Sequence, residues 1–152
     1  MRRALTDNEI HEILQKGCYG HLGCIDGGQP LVIPITYVYD AHAIFSFSFE
    51  GGKIAAMRKN PAVCFQVEQL HGTDGWRSVM IWGTFEEVQG DERDGAYSLI
   101  LERLWKESSR DHPLFLPFRH SAQTLEAAKN GTGVVLYRIG IAKQTGIMEQ
   151  YE

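Results

Sequence analysis

The chain lacks the features that define several large classes of protein. Its 152 residues include only three cysteines, an odd number with no C-x-x-C pair, so structural disulfides are not expected and a reducing cytoplasm is the predicted setting. No apolar run approaches the roughly 18 residues that suggest a membrane span, and no apolar segment of a secretory signal follows the two N-terminal arginines. The net charge of −4 argues against nucleic acid as a partner, because binding a phosphate backbone requires a positive surplus.

Recognisable catalytic and metal-binding motifs are also missing. The six histidines do not fall at a metal-ligand spacing. The sequence contains no G-x-S-x-G, P-loop or G-x-G-x-x-G motif, and no side chain stands out as a nucleophile or general base. This absence favours a protein in which a bound cofactor carries the chemistry.

Apolar periodicity and turn signals predict a mainly β protein of the α+β class. Thr6 and Glu9 form a capping-box pattern at the start of a helix that Gly17 ends, and residues 26–29 (Asp-Gly-Gly-Gln) predict a tight hairpin turn. Antiparallel strands joined by short turns favour closure into a barrel, and the whole chain, 1–152, is predicted to be one domain. The predicted strands cover 18–25, 31–39, 43–49, 62–70, 76–88 and 134–143, and further predicted helices cover 53–59, 91–107 and 122–130.

The most informative stretch joins the third predicted strand to a glycine-rich helix start that carries a lysine. The first turn of a helix has unpaired N–H groups and a partial positive charge, so Gly52 and Lys53 could receive a phosphate there. The hydroxyls of Ser46 and Ser48 could donate to the same anion. The alternative interpretation is an ordinary helix start with a solvated lysine.

Two other stretches are candidate ligand contacts. Arg77 and Ser78 place a cation beside a hydroxyl at the start of a long strand, although strand geometry sends neighbouring side chains to opposite faces. The segment Pro34–Tyr37 could hydrogen-bond a planar heterocycle laid along its strand, where Pro34 indicates an edge or a bulge. The alternatives are an exposed arginine beside a core serine in the first case and simple barrel packing in the second.

Taken in order, these stretches resemble a known family. The motifs are Gly20-His21-Leu22, then P-x-x-x-P-I-x-Y from Pro30 to Tyr37, Gly51-Gly52-Lys53, R-x-N-P-x-V-C-F from Arg58 to Phe65, and W-R-S-V-x-x-x-G from Trp76 to Gly83. This order resembles the FMN-binding split-barrel proteins of the pyridoxamine 5′-phosphate oxidase-like superfamily, nitroimidazole-resistance-type branch. The resemblance is good over residues 1–90 and loose over 130–146.

The resemblance implies a six-stranded antiparallel split β-barrel with flanking helices, in a homodimer that holds FMN at its interface. It implies that Lys53 contacts the FMN phosphate with the help of Ser48 and the backbone of Gly51–Lys53. The other cofactor-binding residues that it implies line the ring, the ribityl chain or the phosphate: Pro34, Ile35, Thr36, Tyr37, Ser46, Phe47, Arg77, Ser78 and Val79. Two positions depart from the branch pattern, because Ser46 replaces a frequent histidine and Ile147 replaces the lysine of a "T-G-K" ending.

The resemblance therefore predicts a cytoplasmic FMN-dependent oxidoreductase, similar to flavin reductases or nitroreductases. It would pass electrons from a nicotinamide donor to a small acceptor, with no membrane partner. The alternative is a non-catalytic flavin- or haem-binding module. The sequence leaves the substrate and the choice between FMN and a deazaflavin open. Oxidation of pyridoxamine 5′-phosphate itself is not expected, because the chain is short and lacks a C-terminal arginine-rich segment.

Overall fold

The computed structural model describes residues 1–40, 42–108 and 133–151. Eight strands and three helices lie in these ranges, and the predicted helix 122–130 lies outside them. Each strand pairing is antiparallel, so the α+β class and the barrel architecture are confirmed. The elements are β1 (Arg2–Ala4), α1 (Asp7–Lys16), β2 (Tyr19–Asp26), β3 (Gln29–Thr36), β4 (Val38–Asp40), β5 (Ala43–Phe49), α2 (Gly52–Lys59), β6 (Ala62–Leu70), β7 (Gly75–Glu87), α3 (Glu92–Ser108) and β8 (Val134–Gln150).

Helix α1 begins as its capping box predicts. The Thr6 hydroxyl accepts from the Glu9 N–H at 3.3 Å, and the Glu9 carboxylate accepts from the Thr6 N–H at 2.8 Å. Arg3 adds two further hydrogen bonds to Glu9, at 2.7 and 2.9 Å. These bonds hold the pKa of Glu9 at about 2, chiefly because of Arg3. These hydrogen bonds close the first turn of α1 and also link it to Arg3 of β1.

The barrel closes through one bent segment of chain. The strand order is β3-β2-β6-β7-β8-β5-β4, and β1 pairs with β8. Strands β3 and β4 therefore lie at opposite ends of this order, yet only Tyr37 separates them in the sequence. Here the Tyr37 N–H donates to Cys18 O at 2.9 Å, and the Ser46 hydroxyl donates to Thr36 O at 2.7 Å. Pro34 lies in β3 at the end of the strand order, as its missing N–H predicts.

The structure has two strands more than the six that the sequence predicts. The predicted strand 31–39 is broken at Tyr37 into β3 and β4, and β1 was not predicted. Strand β8 also runs on to Gln150, because its second half pairs with the first half of β7, from Gly75 to Trp82. A register shift follows between Trp82 and Gly83. A side chain at Gly83 would meet the Gly140 carbonyl oxygen at 2.2 Å, so this approach requires glycine.

The apolar side chains form two clusters on opposite sides of the sheet. The larger one fills the barrel and is covered by α1 and α2, with Phe65, Ile81 and Tyr137 fully buried at its centre. The smaller one lies between the sheet and α3, around Ile100 and Leu136. Within the described residues, no helix has both the length and the apolar character to cross a bilayer. The same residues contain no group of three His, Cys, Asp or Glu side chains placed to hold a metal ion.

Candidate functional site

Lys53 is half-buried at the start of α2. Burial lowers the pKa of its ammonium group, while the nearby Cys24 thiol of β2 acts weakly in the opposite direction. Among the described residues, no carboxylate forms an ion pair with Lys53. A partly desolvated cation without a counter-ion is costly for the isolated chain, so this position favours an external anion.

The backbone around Lys53 is also open to an anion. Gly51, the residue that precedes α2, has an extended backbone (φ 175°) and provides no side-chain cap, and the first turn of the helix contains no acidic residue. The first N–H groups of α2 are thus left without an acceptor side chain. A side chain added at Gly52 would meet no atom within 4 Å, so space is available beside these groups. This arrangement supports the predicted anion site.

An apolar groove crosses the outer face of the sheet. Cross-strand pairing aligns Val32, Gly23, Cys64, Trp82 and Lys143 in one row. The groove has a volume of about 430 Å³ and includes the first four of these residues in its lining. Val32 is 67% exposed and Trp82 is 40% exposed, which is unusual for large apolar side chains that share one surface.

The small residue in this row gives the groove its floor. A side chain at Gly23 would lie 2.5 Å from the Cys64 sulfur, so the thiol occupies the space above the glycine. The Lys143 ammonium lies 5.1 Å from the centre of the Trp82 ring, which places one cation beside an otherwise apolar wall. Cys24, whose thiol influences Lys53, also lines the groove. Because the Cys24 side chain belongs to the barrel core, the Lys53 site and the groove adjoin the same strand, β2, from its inner and outer faces.

Several residues predicted to bind the cofactor have side chains buried in the core, which leaves only their backbone for a ligand. The side chains of Ile35, Tyr37 and Val79 are buried in the barrel cluster, and the Tyr37 hydroxyl donates to Leu14 O at 2.8 Å. Ser46 is 2% exposed, and its hydroxyl donates a hydrogen bond to Thr36 O. None of these side chains points to the outer groove. Ile35, Ser46 and Val79 occupy the inward phase of their strands, and Tyr37, at the bend between β3 and β4, packs into the barrel cluster.

Phe47 and Ser48 lie on different faces of β5. Phe47 packs against the cluster beneath α3, on the side of the sheet away from α2, so a role of its side chain in lining the predicted ring site is not supported. Ser48 is partly exposed, and its hydroxyl donates to Phe49 O at 3.1 Å. Ser48 therefore lies on the same face of β5 as Ser46, two residues closer to α2. On β3, the exposed Pro34 lies on the outer face with Val32.

Arg77 and Ser78 lie far from Lys53 within one chain. Lys53 lies near Cys24, and the neighbouring residue Gly23 pairs with Cys64 on β6. Arg77 pairs with Gln69 on the same strand. These two levels are five residues apart on β6, or about 16 Å at the usual rise per residue. Arg77 lies in a second, polar cleft of about 280 Å³ with Asp74 and Glu149. One chain therefore does not bring the two predicted cation contacts together.

Ser78 points the other way from Arg77. It lies on the outer face with Trp82, and its hydroxyl accepts from the Gln66 amide at 3.1 Å. Sequence reasoning did not select Val32, Cys64, Trp82 or Lys143. For Val32 and Trp82 the signal was the presence of apolar residues on both phases of β3 and β7, which is unusual in a strand with one solvent-exposed face. Cys64 in β6 and Lys143 in β8 carried no such signal.

A closed antiparallel barrel with an open helix start beside an outer groove is the architecture expected of the split-barrel class. Residues 6–148 match the pyridoxamine 5′-phosphate oxidase family, and the chain belongs to this family. An uncharacterised protein from Rhizobium meliloti (strain 1021) is 33% identical over 103 residues, which span 64% of this chain and 68% of that protein.

Solved structures share the fold over nearly the full length. A FAD-binding protein from Mesorhizobium loti is 29% identical with a TM-score of 0.72, and the match covers 99% of both chains. A proposed 5-nitroimidazole antibiotic resistance protein from Bacteroides thetaiotaomicron has a TM-score of 0.71 at 19% identity, covering 97% of this chain and 87% of the other. A flavocytochrome from Azotobacter vinelandii has a TM-score of 0.66 at 18% identity, covering 99% and 69%. The last two similarities concern the fold alone.

Proposed function

We propose that this protein is an FMN-dependent oxidoreductase that passes electrons from a nicotinamide donor to a small acceptor. One observation carries the proposal: Lys53 is a half-buried cation without a carboxylate partner among the described residues, at an uncapped helix start beside an apolar groove. The FAD-binding protein from Mesorhizobium loti, which matches along its full length, supports a flavin as the ligand.

The residues present fit the two ends of a flavin mononucleotide. Lys53 and the first N–H groups of α2 would hold the phosphate, and the groove wall of Val32, Cys64 and Trp82 would receive the flat ring system. When bound, the flavin supplies hydride or single-electron transfer. The chain's own contribution is to neutralise the phosphate, to orient the ring against the sheet and to exclude water from one of its faces.

A second copy of the chain would complete this site. Val32 and Trp82 expose apolar surface in one row, which suits an interface better than bulk water. Arg77 pairs with β6 five residues beyond Cys64, the level of the strand that adjoins the Lys53 site. In a two-fold symmetric pair each patch contacts its counterpart in reverse, and we propose that this arrangement brings Arg77 of the partner toward Lys53. The homodimer thus accounts for both predicted phosphate contacts.

The shared site is testable by mixing defective chains. A chain with Lys53→Met would be co-expressed with a chain carrying Arg77→Gln. If the site is shared, each mixed dimer regains one site that contains both native cations, and its FMN affinity equals that of the unmodified protein. If both contacts came from one chain, no mixed dimer would bind at native affinity.

The proposed function is tested first by the chromophore of the freshly purified protein. We expect the visible absorbance of a bound oxidised flavin, and mass spectrometry should identify the released compound as FMN. The apoprotein should bind added FMN with quenching of its fluorescence. A colourless protein that binds neither FMN nor FAD would refute the proposal. Binding of FAD but not of FMN would show that the cofactor is FAD and not FMN.

A second candidate function is a non-catalytic flavin- or haem-binding module. The observation that favours it is the groove lining, whose thirteen described residues include no histidine, carboxylate or basic side chain, so the lining offers only thiols as acid–base groups and the Lys143 ammonium lies beside it, next to Trp82. Steady-state oxidation of NADH or NADPH with nitro compounds, quinones or free flavin separates the candidates. Turnover supports the oxidoreductase, and stable flavin binding without turnover supports the module. The three cysteines form no disulfide, which suits a reducing cytoplasm in either case.

A further inference from the structure

Arg58, in the last turn of α2, binds two carboxylates at once. Its guanidinium donates to both oxygens of Glu50, at 2.7 and 2.8 Å. It also donates to both oxygens of Glu87, at 2.6 and 3.2 Å. Both contacts are bidentate, the geometry that a guanidinium favours and that an ammonium group cannot reproduce. Arg58 opens the R-x-N-P motif, to which neither the sequence nor the proposed function assigns a role.

Glu50, one of the two carboxylates bound by Arg58, lies close in sequence to the proposed anion site. Glu50 lies three residues before Lys53 and directly before Gly51, the N-cap residue that precedes α2. A carboxylate at this point would normally be attracted to the helix start and to the lysine ammonium. In the structure it points to Arg58 instead, and the hydrogen bonds to Arg58 lower the pKa of Glu50. Lys53 is left without an ion pair among the described residues.

We infer that Arg58, itself bound by Glu87, is a positioning residue that holds the carboxylate of Glu50 away from the anion site at Lys53. The inference rests on the proposed function, because it concerns the same phosphate. Without Arg58, Glu50 is a tethered competitor at high effective concentration. It can pair with Lys53 and with the open N–H groups of α2, and its negative charge repels the phosphate.

The experiment compares Arg58→Gln with the unmodified protein in fluorescence titrations with FMN and with riboflavin, which lacks the phosphate. We expect the FMN dissociation constant to rise roughly tenfold, as one uncompensated carboxylate near a phosphate predicts in partly screened surroundings. The riboflavin constant should change less than about twofold. The FMN effect should shrink as salt is raised, because exposed charges are screened.

A rescue variant separates positioning from a purely structural role. Arg58→Gln combined with Glu50→Gln removes the competing charge, so its FMN affinity should return to within about threefold of the unmodified protein. The matched control is Arg138→Gln. Arg138 also binds two carboxylates, of Glu86 and Glu92, at 2.8 Å each, and it faces α3. This control should not change FMN affinity.

The outcomes decide the inference separately from the proposed function. Equal loss of FMN and riboflavin affinity, or failure of the double variant to recover, would show that Arg58 only supports the fold and would overturn the inference. An unchanged FMN affinity in Arg58→Gln would overturn it as well. If the unmodified protein bound no flavin, the proposed function and this inference would both be wrong. Thermal unfolding midpoints of each variant confirm that the folded protein was titrated.

Discussion

Replacement of Lys53 by methionine tests the proposed phosphate site most directly. Methionine keeps an unbranched apolar side chain at this half-buried position and removes only the charge. A hydrogen bond between charged groups contributes about 1.5 to 3 kcal/mol, so the FMN dissociation constant should rise roughly 10- to 150-fold. Riboflavin has no phosphate for Lys53 to bind, and its affinity should change less than about twofold.

The same substitution should stabilise the apoprotein. Burial lowers the pKa of Lys53 below its ordinary value of 10.5, which means that the charged form is disfavoured in the folded state. This penalty is complete below the folded-state pKa and disappears as pH rises through that value toward 10.5. At neutral pH we expect Lys53→Met to raise the free energy of unfolding by about 0.5 to 1 kcal/mol, allowing for the screening of a half-exposed group. The difference should decrease as pH rises through the lowered pKa of Lys53 toward 10.5, because the lysine then loses its proton.

Fluorescence quenching with both flavins and urea unfolding at several pH values measure these effects. The matched control is Lys59→Met, an exposed lysine on the same helix, which should leave both affinities and the unfolding free energy nearly unchanged. Equal loss of FMN and riboflavin affinity would show that Lys53 supports the fold instead of the phosphate. An unchanged FMN affinity would remove the basis of the proposed function.

Three further predictions follow from individual contacts. Tyr37→Phe removes the buried hydrogen bond to Leu14 O and should lower the free energy of unfolding by about 1 kcal/mol in urea titrations; no change would mean that the bond is replaced by another. The lowered pKa of Glu9 contributes stability that is complete above pH 4.5 and is lost as pH falls toward about 2, and Arg3→Gln should flatten this part of the pH–stability curve. Trp82→Glu places a charge on the proposed interface and should raise the dimer dissociation constant at least roughly tenfold in sedimentation experiments; an unchanged dimer would place the interface elsewhere.

The elements predicted correctly are those with local signals. Thr6 and Glu9 define the start of α1 because both partners of the capping box lie within one turn. The glycines at 27 and 28 define the first hairpin, because both have positive φ angles, 56° and 82°, that other residues rarely adopt. In both cases the physical constraint lies within four residues of sequence, so the sequence alone was sufficient.

The elements that were missed depend on distant partners. Strand β1 has three exposed residues and no apolar periodicity, and it exists because it pairs with Ile147–Glu149 at the other end of the chain. The second half of β8 contains Gln144, Thr145 and Gly146, which resemble a turn, yet it pairs continuously with β7. Such pairing is decided by tertiary contacts, which override weak local preference.

Prediction of the site was limited by strand alternation. The sequence suggested contiguous runs, Pro34–Tyr37 and Arg77–Val79, as ligand contacts. A strand sends successive side chains to opposite faces, so such a run can offer only alternate side chains to one ligand, and the structure buries Ile35, Tyr37 and Val79. Which phase faces outward is set by register, and register depends on the cross-strand partners. At the start of α2 no such ambiguity exists, because an anion would meet backbone N–H groups whatever the phase of the preceding strand. For this reason the helix start is where sequence and structure agree best.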